Sequence, residues 1–541
     1  MGANRSTTVA LFALAIAPSA YFAWHWRDMA HLGAYHDDAL YLVGAKSLAE
    51  GSGYRIESLP GQPFQTKYPP VFAALIAPLW KYGPAFPKNL PLLTLFAWLM
   101  TPAYLFFARA TFRNFGLGHW ETWLLTFAAA LHPIVLLLGM SLMPDLLFLA
   151  LFLASLELAE RALTPTRPGW LAAAAGVLGG VAYLTRTSAL PIALTAPLCF
   201  LLAKRYVRAA LFLSGMLPAV VGWQVWTSRR LLRTSDPSLM YYTSYVGMER
   251  ATVHWDNLAT VLWHNLDGLL RAIARLIVFD VIPIHPHLQQ VIGVAAMVGI
   301  FRLAKRTRRL QYPAAAAGFA LLLLVYFFPA DERILLPVYP LVLAGLLIEG
   351  RNFWSAVLRA WRKPEFAERA GAVAAGMALA TLAGLTVGSD VLGAVRFLPQ
   401  VRQASRNQLF DRTPVYDWIR KRTAPAASFY AYDDALLYLY TGRQASGLPA
   451  PPGRLYRDDG AAQMRQYALS IPQSARQHEL DYLMVTQQDF YRDGFPGLVW
   501  KAAGSDPGLE LECATAHAAV YRSLVRSVRF RRSERVQQRA R

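Results

Sequence analysis

Cysteine is scarce in this chain, whose 541 residues include two: Cys199 in an apolar segment and Cys513 in a polar C-terminal region. Their settings argue against a disulfide between them, and no Cys/His spacing typical of a metal site occurs. Acidic residues are also few, 34 against 54 lysines and arginines, which gives a formal charge of +20. The basic residues fall mainly in short loops between apolar segments and at the extreme C terminus. This distribution is typical of a membrane protein and argues against nucleic-acid binding.

Common catalytic and nucleotide-binding motifs are absent as well. The sequence has no P-loop, GxGxxG, GxSxG or HExxH pattern and no internal repeat. It is instead strongly apolar, with 55% hydrophobic residues and a positive mean hydropathy. We therefore expect a polytopic α-helical membrane protein rather than a water-soluble one.

Eleven apolar segments are long enough, or nearly so, to cross a hydrocarbon layer of ~30 Å. They are roughly 8–26, 89–108, 121–139, 144–160, 169–187, 189–203, 209–228, 288–303, 313–328, 334–349 and 371–393. With the N terminus inside, all the loops rich in arginine and lysine lie on the cytoplasmic side, as the positive-inside rule requires. The first segment would also suit a cleaved signal peptide, but we favour an uncleaved span because many further spans follow.

Two further segments decide between eleven and thirteen spans. Residues 69–83 are short and interrupted by proline, and residues 257–283 carry several charges. If both segments spanned the membrane, the loops between them would invert and two basic clusters, 109–113 and 204–208, would lie outside. We therefore interpret both as re-entrant or interfacial helices on the outer face, with thirteen spans as the alternative.

The composition becomes polar and mixed from about residue 396 to 524. Strand-like runs and helical stretches alternate there: Ala427–Tyr432, 433–441, 461–469, Asp481–Thr486 and Ala518–Arg522. These patterns predict a small extracytoplasmic α/β domain. Asp433 and Asp434 lie between a strand and a helix, so N-capping is favoured over catalysis for both.

The expected domain organisation has three parts. They are a transmembrane catalytic domain at 1–394 with its first outer loop at 27–88, the α/β domain at 395–524, and a basic tail at 525–541. The tail is rich in arginine and poor in apolar residues, so we expect it to be disordered and able to contact anionic lipid headgroups.

The first outer loop holds the most informative stretch, residues 35–70. Asp37 and Asp38 begin a short amphipathic helix, and Lys67 precedes a Tyr-Pro-Pro sequence that leads into an apolar run. Carboxylates and a cation at a membrane surface suit chemistry on a lipid phosphate. The structural alternative is an N-cap aspartate and a snorkelling lysine.

Three more ionisable residues lie at the outer ends of predicted spans: Asp145, Arg186 and Arg333. Each alone could be an interfacial snorkelling residue. Three on the same side as Asp37 and Lys67 indicate a functional site, because a charge at a span is costly unless it is paired or hydrated.

Several of these stretches resemble one family when taken in order. The matching parts are HDDALYLVGAKSLAEG, TKYPPVFAALIAPLW, SLMPDLLFLALFLASLELAER, YLTRTSALP and DERILLPVYPLVL. Together they resemble the GT-C superfamily of membrane glycosyltransferases, in the branch of the protein O-mannosyltransferases and the lipid A aminoarabinose transferase. The resemblance covers roughly residues 1–394. It implies transfer of a sugar from a polyprenyl-phosphate carrier at the extracytoplasmic membrane face, with inversion at the anomeric carbon.

The resemblance also implies roles for single residues. Asp37 corresponds to the expected general base. Asp38, which stands where the family often has glutamate, is the second expected catalytic residue. Lys67, with Tyr68 beside it, resembles the basic position that holds the carrier phosphate. Arg186 and Arg333 would be further phosphate contacts and Asp145 the second acidic loop position. The aminoarabinose transferase has a carboxylate before its lysine where this chain has Thr66, so no role of that side chain is transferred.

The chemistry agrees with these roles. A hydroxyl that attacks C1 of a sugar phosphate needs a carboxylate base, and the leaving phosphate needs nearby cations. Neither a general acid nor a metal is obligatory, although three carboxylates, Asp37, Asp38 and Asp145, could together bind Mg²⁺ or Mn²⁺.

We therefore expect a multi-pass protein of the bacterial inner membrane with a periplasmic C-terminal domain. It would transfer a hexosyl or pentosyl unit from a polyprenyl-phosphate donor to a lipid, glycan or protein acceptor. A transporter or flippase for an anionic lipid is the alternative, but transporters place polar groups near the middle of the membrane at paired repeats. A non-catalytic scaffold would leave Asp37 and Lys67 without a role.

Overall fold

The computed structural model describes residues 5–232, 234, 236–362, 366–450, 452–491 and 493–524. The predicted basic tail at 525–541 lies outside the described residues.

The first ten helices are α1 (Arg5–His25), α2 (Asp37–Ala49), α3 (Val71–Tyr82), α4 (Leu90–Asn114), α5 (His119–Leu131), α6 (Pro133–Leu138), α7 (Asp145–Leu163), α8 (Trp170–Thr185), α9 (Leu190–Leu202) and α10 (Tyr206–Arg230). The next eight are α11 (Pro237–Thr243), α12 (Tyr245–Thr252), α13 (Leu258–Arg275), α14 (Pro286–Thr307), α15 (Gln311–Leu324), α16 (Glu332–Leu335), α17 (Tyr339–Trp361) and α18 (Phe366–Leu392).

The helical part has the composition of a multi-pass membrane protein. Among the described residues, six helices are long and apolar enough to cross a membrane: Arg5–His25, Leu90–Asn114, Tyr206–Arg230, Pro286–Thr307, Glu332–Trp361 and Ala367–Arg422. Helices also occupy the other predicted spans, but these helices are shorter, more charged or broken. The number eleven therefore stays a prediction.

The two segments that decide the span number both form helices beside the outer loops. Helix α3 has 12 residues, about 18 Å at 1.5 Å per residue, which is too short to span. Helix α13 reaches the C-terminal domain through Asn265, whose Oδ1 accepts a hydrogen bond of 2.8 Å from the Tyr456 hydroxyl. The interfacial placement of both helices stays a prediction.

A mixed sheet with flanking helices follows α18, from which a π-helical turn, Gly393–Phe397, leads into the next helix. The elements are α19 (Leu398–Arg422), β1 (Ser428–Ala431), α20 (Asp434–Thr441), β2 (Gln444–Ser446), α21 (Gly460–Gln477), β3 (Tyr482–Thr486), α22 (Leu498–Gly504), β4 (Leu509–Ala514) and β5 (Ala518–Ser523). The strand order is β2-β1-β3-β5-β4; β1 pairs parallel with β2 and β3, and β5 pairs antiparallel with β3 and β4. The three predicted strands are confirmed, and β2 and β4 were not predicted. The domain boundaries stay predictions.

The sheet domain packs directly on the first outer loop. The Ala445 amide of β2 donates to the Ser58 carbonyl at 2.7 Å, and the Tyr438 hydroxyl of α20 donates to Glu57 at 3.0 Å. Leu436 of α20 is buried in the same hydrophobic core as the membrane helices. The loop that begins α2 therefore lies between the helices and the sheet.

Candidate active site

Asp37 contacts the segment that contains Lys67 through Tyr68, the residue that follows the lysine. Asp37 is the first residue of α2, and its side chain is 24% exposed. The Tyr68 hydroxyl donates to Asp37 Oδ1 at 2.5 Å. Arg333 Nη2 lies 4.0 Å from Asp37 Oδ2. A carboxylate, a phenol and a guanidinium from three separate segments thus converge.

Lys67 is buried among aromatic rings. Its Nζ donates to the Tyr241 carbonyl at 2.8 Å and lies 4.1 Å from the centroid of the Tyr241 ring. The rings of Tyr68 and Tyr245 are each 5.1 Å from Nζ. Burial lowers the pKa of the Lys67 ammonium to about 8, although the Asp37 carboxylate partly offsets the effect. An ammonium in this setting gains strongly from a second anion.

Asp37 is held as a carboxylate by its neighbours. Burial acts to raise its pKa, but the charges of Arg333 and Lys67 and the hydrogen bond from Tyr68 lower it more. The net pKa of Asp37 therefore lies below the usual value. The group is therefore ionised at neutral pH and has an oxygen that can take a proton.

The three predicted residues at outer span ends also come together. Arg186 donates to Asp145 Oδ1, and the charges of Asp145 and Asp37 both act on Arg333. Arg333 Nη1 and Asp145 Oδ2 are buried and find no hydrogen-bond partner among the described residues. Burial raises the pKa of Tyr245. The charges of Asp37, Asp145, Arg186 and Arg333 all lie close enough to act on the Tyr245 hydroxyl.

Asp38 occupies a different position from the other predicted residues. Its side chain is 0% exposed and accepts hydrogen bonds from the backbone amides of Gly33, at 3.0 Å, and Ala39, at 2.9 Å. Burial raises its pKa to about 7, although the two amides act to lower it. This geometry favours a role in fixing the loop before α2, and the catalytic assignment of Asp38 stays a prediction.

The candidate metal ligands do not form a cluster. No group of three His, Cys, Asp or Glu side chains within the described ranges could hold a metal ion. Asp38 is bonded to backbone amides, and Asp145 is paired with Arg186. The trio of Asp37, Asp38 and Asp145 is therefore not a preformed site for Mg²⁺ or Mn²⁺.

The structure corrects the interpretation of Asp433 and Asp434 as N-caps. Asp433 occupies the N-cap position of α20, but its side chain makes no capping hydrogen bond and pairs with Arg412. Asp434 lies 2.7 Å from Nε2 of His36. His36 directly precedes Asp37 but was not predicted as a site residue, because its partner lies 398 positions away in the chain.

A cavity of about 880 Å³ lies between the outer loops and the C-terminal domain. Its wall includes His36 and two ion pairs, Arg412 with Asp433 and Arg454 with Asp493. Its size falls within the range of pockets that bind small organic ligands. The residue beside Asp37 thus borders a large open space.

Comparisons with known proteins find a similar fold. No family model and no curated protein matches the sequence. ArnT from Cupriavidus metallidurans, solved with bound undecaprenyl phosphate, is 15% identical, with 96% of this chain and 98% of ArnT aligned at a TM-score of 0.52. The oligosaccharyltransferase AglB from Archaeoglobus fulgidus, solved with an inhibitory peptide and a dolichol phosphate, is 11% identical over 95% of this chain and 74% of AglB, at a TM-score of 0.49. Both are GT-C proteins. The match to ArnT shows a shared fold.

Proposed function

We propose that this chain, which has the GT-C fold of ArnT, is an inverting glycosyltransferase. It would move a hexosyl or pentosyl unit from a polyprenyl-phosphate carrier to an acceptor hydroxyl at the extracytoplasmic face of the bacterial inner membrane. The observation that carries this proposal is the convergence of an ionised carboxylate, Asp37, with the cations Lys67 and Arg333 at one face of the helices. The bound undecaprenyl phosphate of ArnT supports the same carrier class.

The charge of the cluster suits a lipid phosphate. Three cations, Lys67, Arg186 and Arg333, lie among three carboxylates, Asp37, Asp145 and Asp331, and Asp331 accepts a hydrogen bond from the Ile334 amide. Arg333 Nη1, which has no hydrogen-bond partner among the described residues, and the buried ammonium of Lys67 both favour an added anion. A phosphate bound there would hold the sugar C1 near Asp37.

The reaction follows from these positions. The acceptor hydroxyl attacks C1 of the sugar while an oxygen of Asp37 takes the hydroxyl proton. A new C1–O bond forms, and the bond from C1 to the phosphate oxygen breaks with its electron pair going to that oxygen. Lys67 and Arg333 stabilise the growing charge of the phosphate.

Donor binding also tunes the base. In the free site, Arg333 and Lys67 keep the pKa of Asp37 low, which makes it a weak proton acceptor. A bound phosphate neutralises part of their charge, so the pKa of Asp37 rises when the donor is in place. The carboxylate thus becomes a stronger base in the complex where a base is needed.

Asp37→Asn tests the function. Full-length protein in nanodiscs would be given synthetic undecaprenyl-phosphate-linked hexoses and pentoses together with hydroxyl-bearing lipid, glycan and peptide acceptors. Release of undecaprenyl phosphate, as the sugar passes to an acceptor hydroxyl, is the readout. We expect the variant to lose turnover and still bind undecaprenyl phosphate, since the amide cannot take the proton. Asp28→Asn, which changes an exposed carboxylate of the same outer loop, is the matched control. Unchanged turnover in Asp37→Asn would refute the base assignment.

The class of acceptor can be identified in cells. Mass spectrometry of surface glycans, in cells producing the wild type or Asp37→Asn, should show one glycan that the variant does not restore. Lipid, polysaccharide and protein fractions analysed separately would identify the acceptor. Identical glycans in all fractions would contradict the proposed transfer.

A further inference from the structure

The contact between His36 and Asp434 joins the C-terminal domain to the start of α2. Asp434 lies in the first turn of α20 and is 0% exposed. Its Oδ1 lies 2.7 Å from His36 Nε2. An ionised carboxylate can only accept hydrogen bonds, so Nε2 carries a proton. One ring nitrogen is thereby fixed by the other domain.

His36 has an unfavourable backbone conformation. Its φ is +60°, in the region that residues with a Cβ avoid. Such a conformation persists when surrounding contacts hold it, and it is common at functional sites. Here the residue directly precedes Asp37, so the backbone of His36 sets the direction in which α2 begins.

The surroundings of His36 favour its charged form. Burial acts to lower the pKa of the imidazole, but the charge and hydrogen bond of Asp434 and the charge of Asp37 outweigh burial and raise it. Lys67 opposes this change. The rings of Tyr241 and Tyr242 lie beside the imidazole, with centroids 5.9 and 5.6 Å away.

The contact with Asp434 does not use the second ring nitrogen of His36, Nδ1. Nδ1 of His36 is buried and has no hydrogen-bond partner in the part of the chain that the structure describes. The residue also lines the cavity of about 880 Å³. Fixed at Nε2 and free at Nδ1, the ring has the arrangement of an oriented imidazole rather than of a purely structural contact.

We propose that His36 and Asp434 form a positioning pair, through which the C-terminal domain orients the start of α2 and keeps an imidazolium beside the Asp37 carboxylate. The inference rests on the proposed glycosyl transfer. In this arrangement the sheet domain takes part in catalysis without supplying a group that touches the donor.

Docking of the C-terminal domain does not depend on this pair. The Tyr438 hydroxyl on the same helix donates to Glu57, and the Ala445 amide donates to the Ser58 carbonyl. Removal of the Asp434 charge therefore leaves other contacts to hold the two parts together. Tyr438→Phe removes one docking hydrogen bond from α20 and leaves His36 untouched, which makes it a matched control.

The test compares Asp434→Asn, His36→Gln and Tyr438→Phe with the wild type, using the full-length protein and the same undecaprenyl-phosphate-linked sugars. At saturating donor, we expect kcat of Asp434→Asn to fall, on the order of 100-fold, because the base is misoriented. Binding of undecaprenyl phosphate, measured separately, should be retained. Tyr438→Phe should keep kcat within about twofold, because Glu57 keeps its hydrogen bond from Lys46 and the lost contact does not involve His36.

The pH profile of kcat distinguishes positioning from simple structural support. In the wild type, activity should fall as the pH rises through the pKa of His36, because the imidazolium is lost. Without the Asp434 charge, burial lowers that pKa, so the alkaline limb should move to lower pH. His36→Gln should lack the limb of His36 and keep only the fall that follows loss of the Lys67 ammonium, which a bound phosphate moves to higher pH. The double variant of Asp434→Asn and His36→Gln should lose no more kcat than His36→Gln alone.

Each outcome decides a separate point. An active wild type whose Asp434→Asn variant matches Tyr438→Phe, or whose alkaline limb does not move, overturns the positioning pair and leaves the glycosyl transfer standing. A folded wild type that releases undecaprenyl phosphate from none of the donors overturns the proposed function and the pair together. If Asp434→Asn fails to fold, the profile of His36→Gln decides.

Discussion

Burial and charge act in opposite directions on the two central groups of the site. Burial alone would favour neutral Asp37 and neutral Lys67, whereas their mutual attraction favours both charges. Charge prevails at Asp37, whose pKa falls below the usual value, and burial prevails at Lys67, whose pKa falls to about 8. The difference follows from the neighbours, because Asp37 also has Arg333 and the Tyr68 hydroxyl, while Lys67 has mainly aromatic rings.

Substitution of Lys67 should act on donor binding. We expect Lys67→Ala to raise the donor KM at least about tenfold, the usual order for a charge-assisted contact to phosphate. In the wild type, KM should rise as the pH increases through about 8, since the ammonium that binds phosphate is then lost. Lys67→Arg stays charged and should abolish this pH dependence. Steady-state kinetics between pH 6 and pH 10, extremes chosen to bracket that pKa, check the prediction; a flat wild-type KM would remove Lys67 from the phosphate site.

Single residues were predictable where the topology alone placed them on one face. Asp37, Lys67, Asp145, Arg186 and Arg333 were expected to share the outer side, and the structure brings them together. Their ion pairs were not predictable, because which guanidinium reaches which carboxylate depends on packing. Pairs across the two domains were missed for the same reason, since nothing in the local sequence links the loop before α2 to the start of α20.

Helix packing in the membrane part depends on small residues. Helices α8 and α10 approach closely at two glycines, Gly176 and Gly215. A Cβ on Gly215 would lie 2.5 Å from the Ala173 carbonyl oxygen and 2.8 Å from the Val177 amide nitrogen. Backbone atoms cannot move aside as flexible side chains can. Glycine thus permits the backbone contact that often drives helix association in lipid.

Alanine at this contact should destabilise the helix pair. We expect Gly215→Ala to lower the free energy of unfolding by about 1–3 kcal/mol, the usual cost of overpacking. Gly222→Ala on the same helix is the control, because a Cβ there meets nothing within 4 Å. It should be neutral or slightly stabilising, since alanine is the better helix former. Thermal unfolding in detergent checks the pair, and equal melting temperatures for the two variants would contradict close packing at Gly215.

Elements were predictable in proportion to the apolar surface that they bury. The strands β1, β3 and β5 are largely buried and were found from their apolar residues. The edge strand β4 is mostly exposed, with Leu511 55% exposed, so its pattern gave no clear signal. The predicted segment 121–139 is broken at His132, because Pro133 forces an extended conformation on the preceding residue.

At the scale of the whole molecule, the site lies where the membrane helices and the sheet domain meet. The outer loops contribute Asp37 and Lys67, and the sheet domain adds Asp434 and one wall of the large cavity. The composition of the chain predicted both parts but not their contact. Helix α19 continues from α18 through a π-helical turn at Gly393–Phe397, close to the predicted domain boundary. The two parts are thus linked by continuous helix and by side-chain contacts.

The orientation of the chain in the membrane is the remaining whole-molecule prediction. With Cys199 and Cys513 replaced by alanine and serine, a membrane-impermeant maleimide on intact cells should label Asn407→Cys in α19 and miss Lys305→Cys in the last turn of α14. Both positions are exposed in the structure, so protection of one reflects the membrane rather than burial.

Arg167→Cys separates the two span models: eleven spans place it inside and unlabelled, whereas thirteen spans place it outside. Because the polyprenyl-phosphate donor must be presented on the same side as Asp37, labelling of Lys305→Cys with protection of Asn407→Cys would move the site to the cytoplasm and contradict extracytoplasmic transfer.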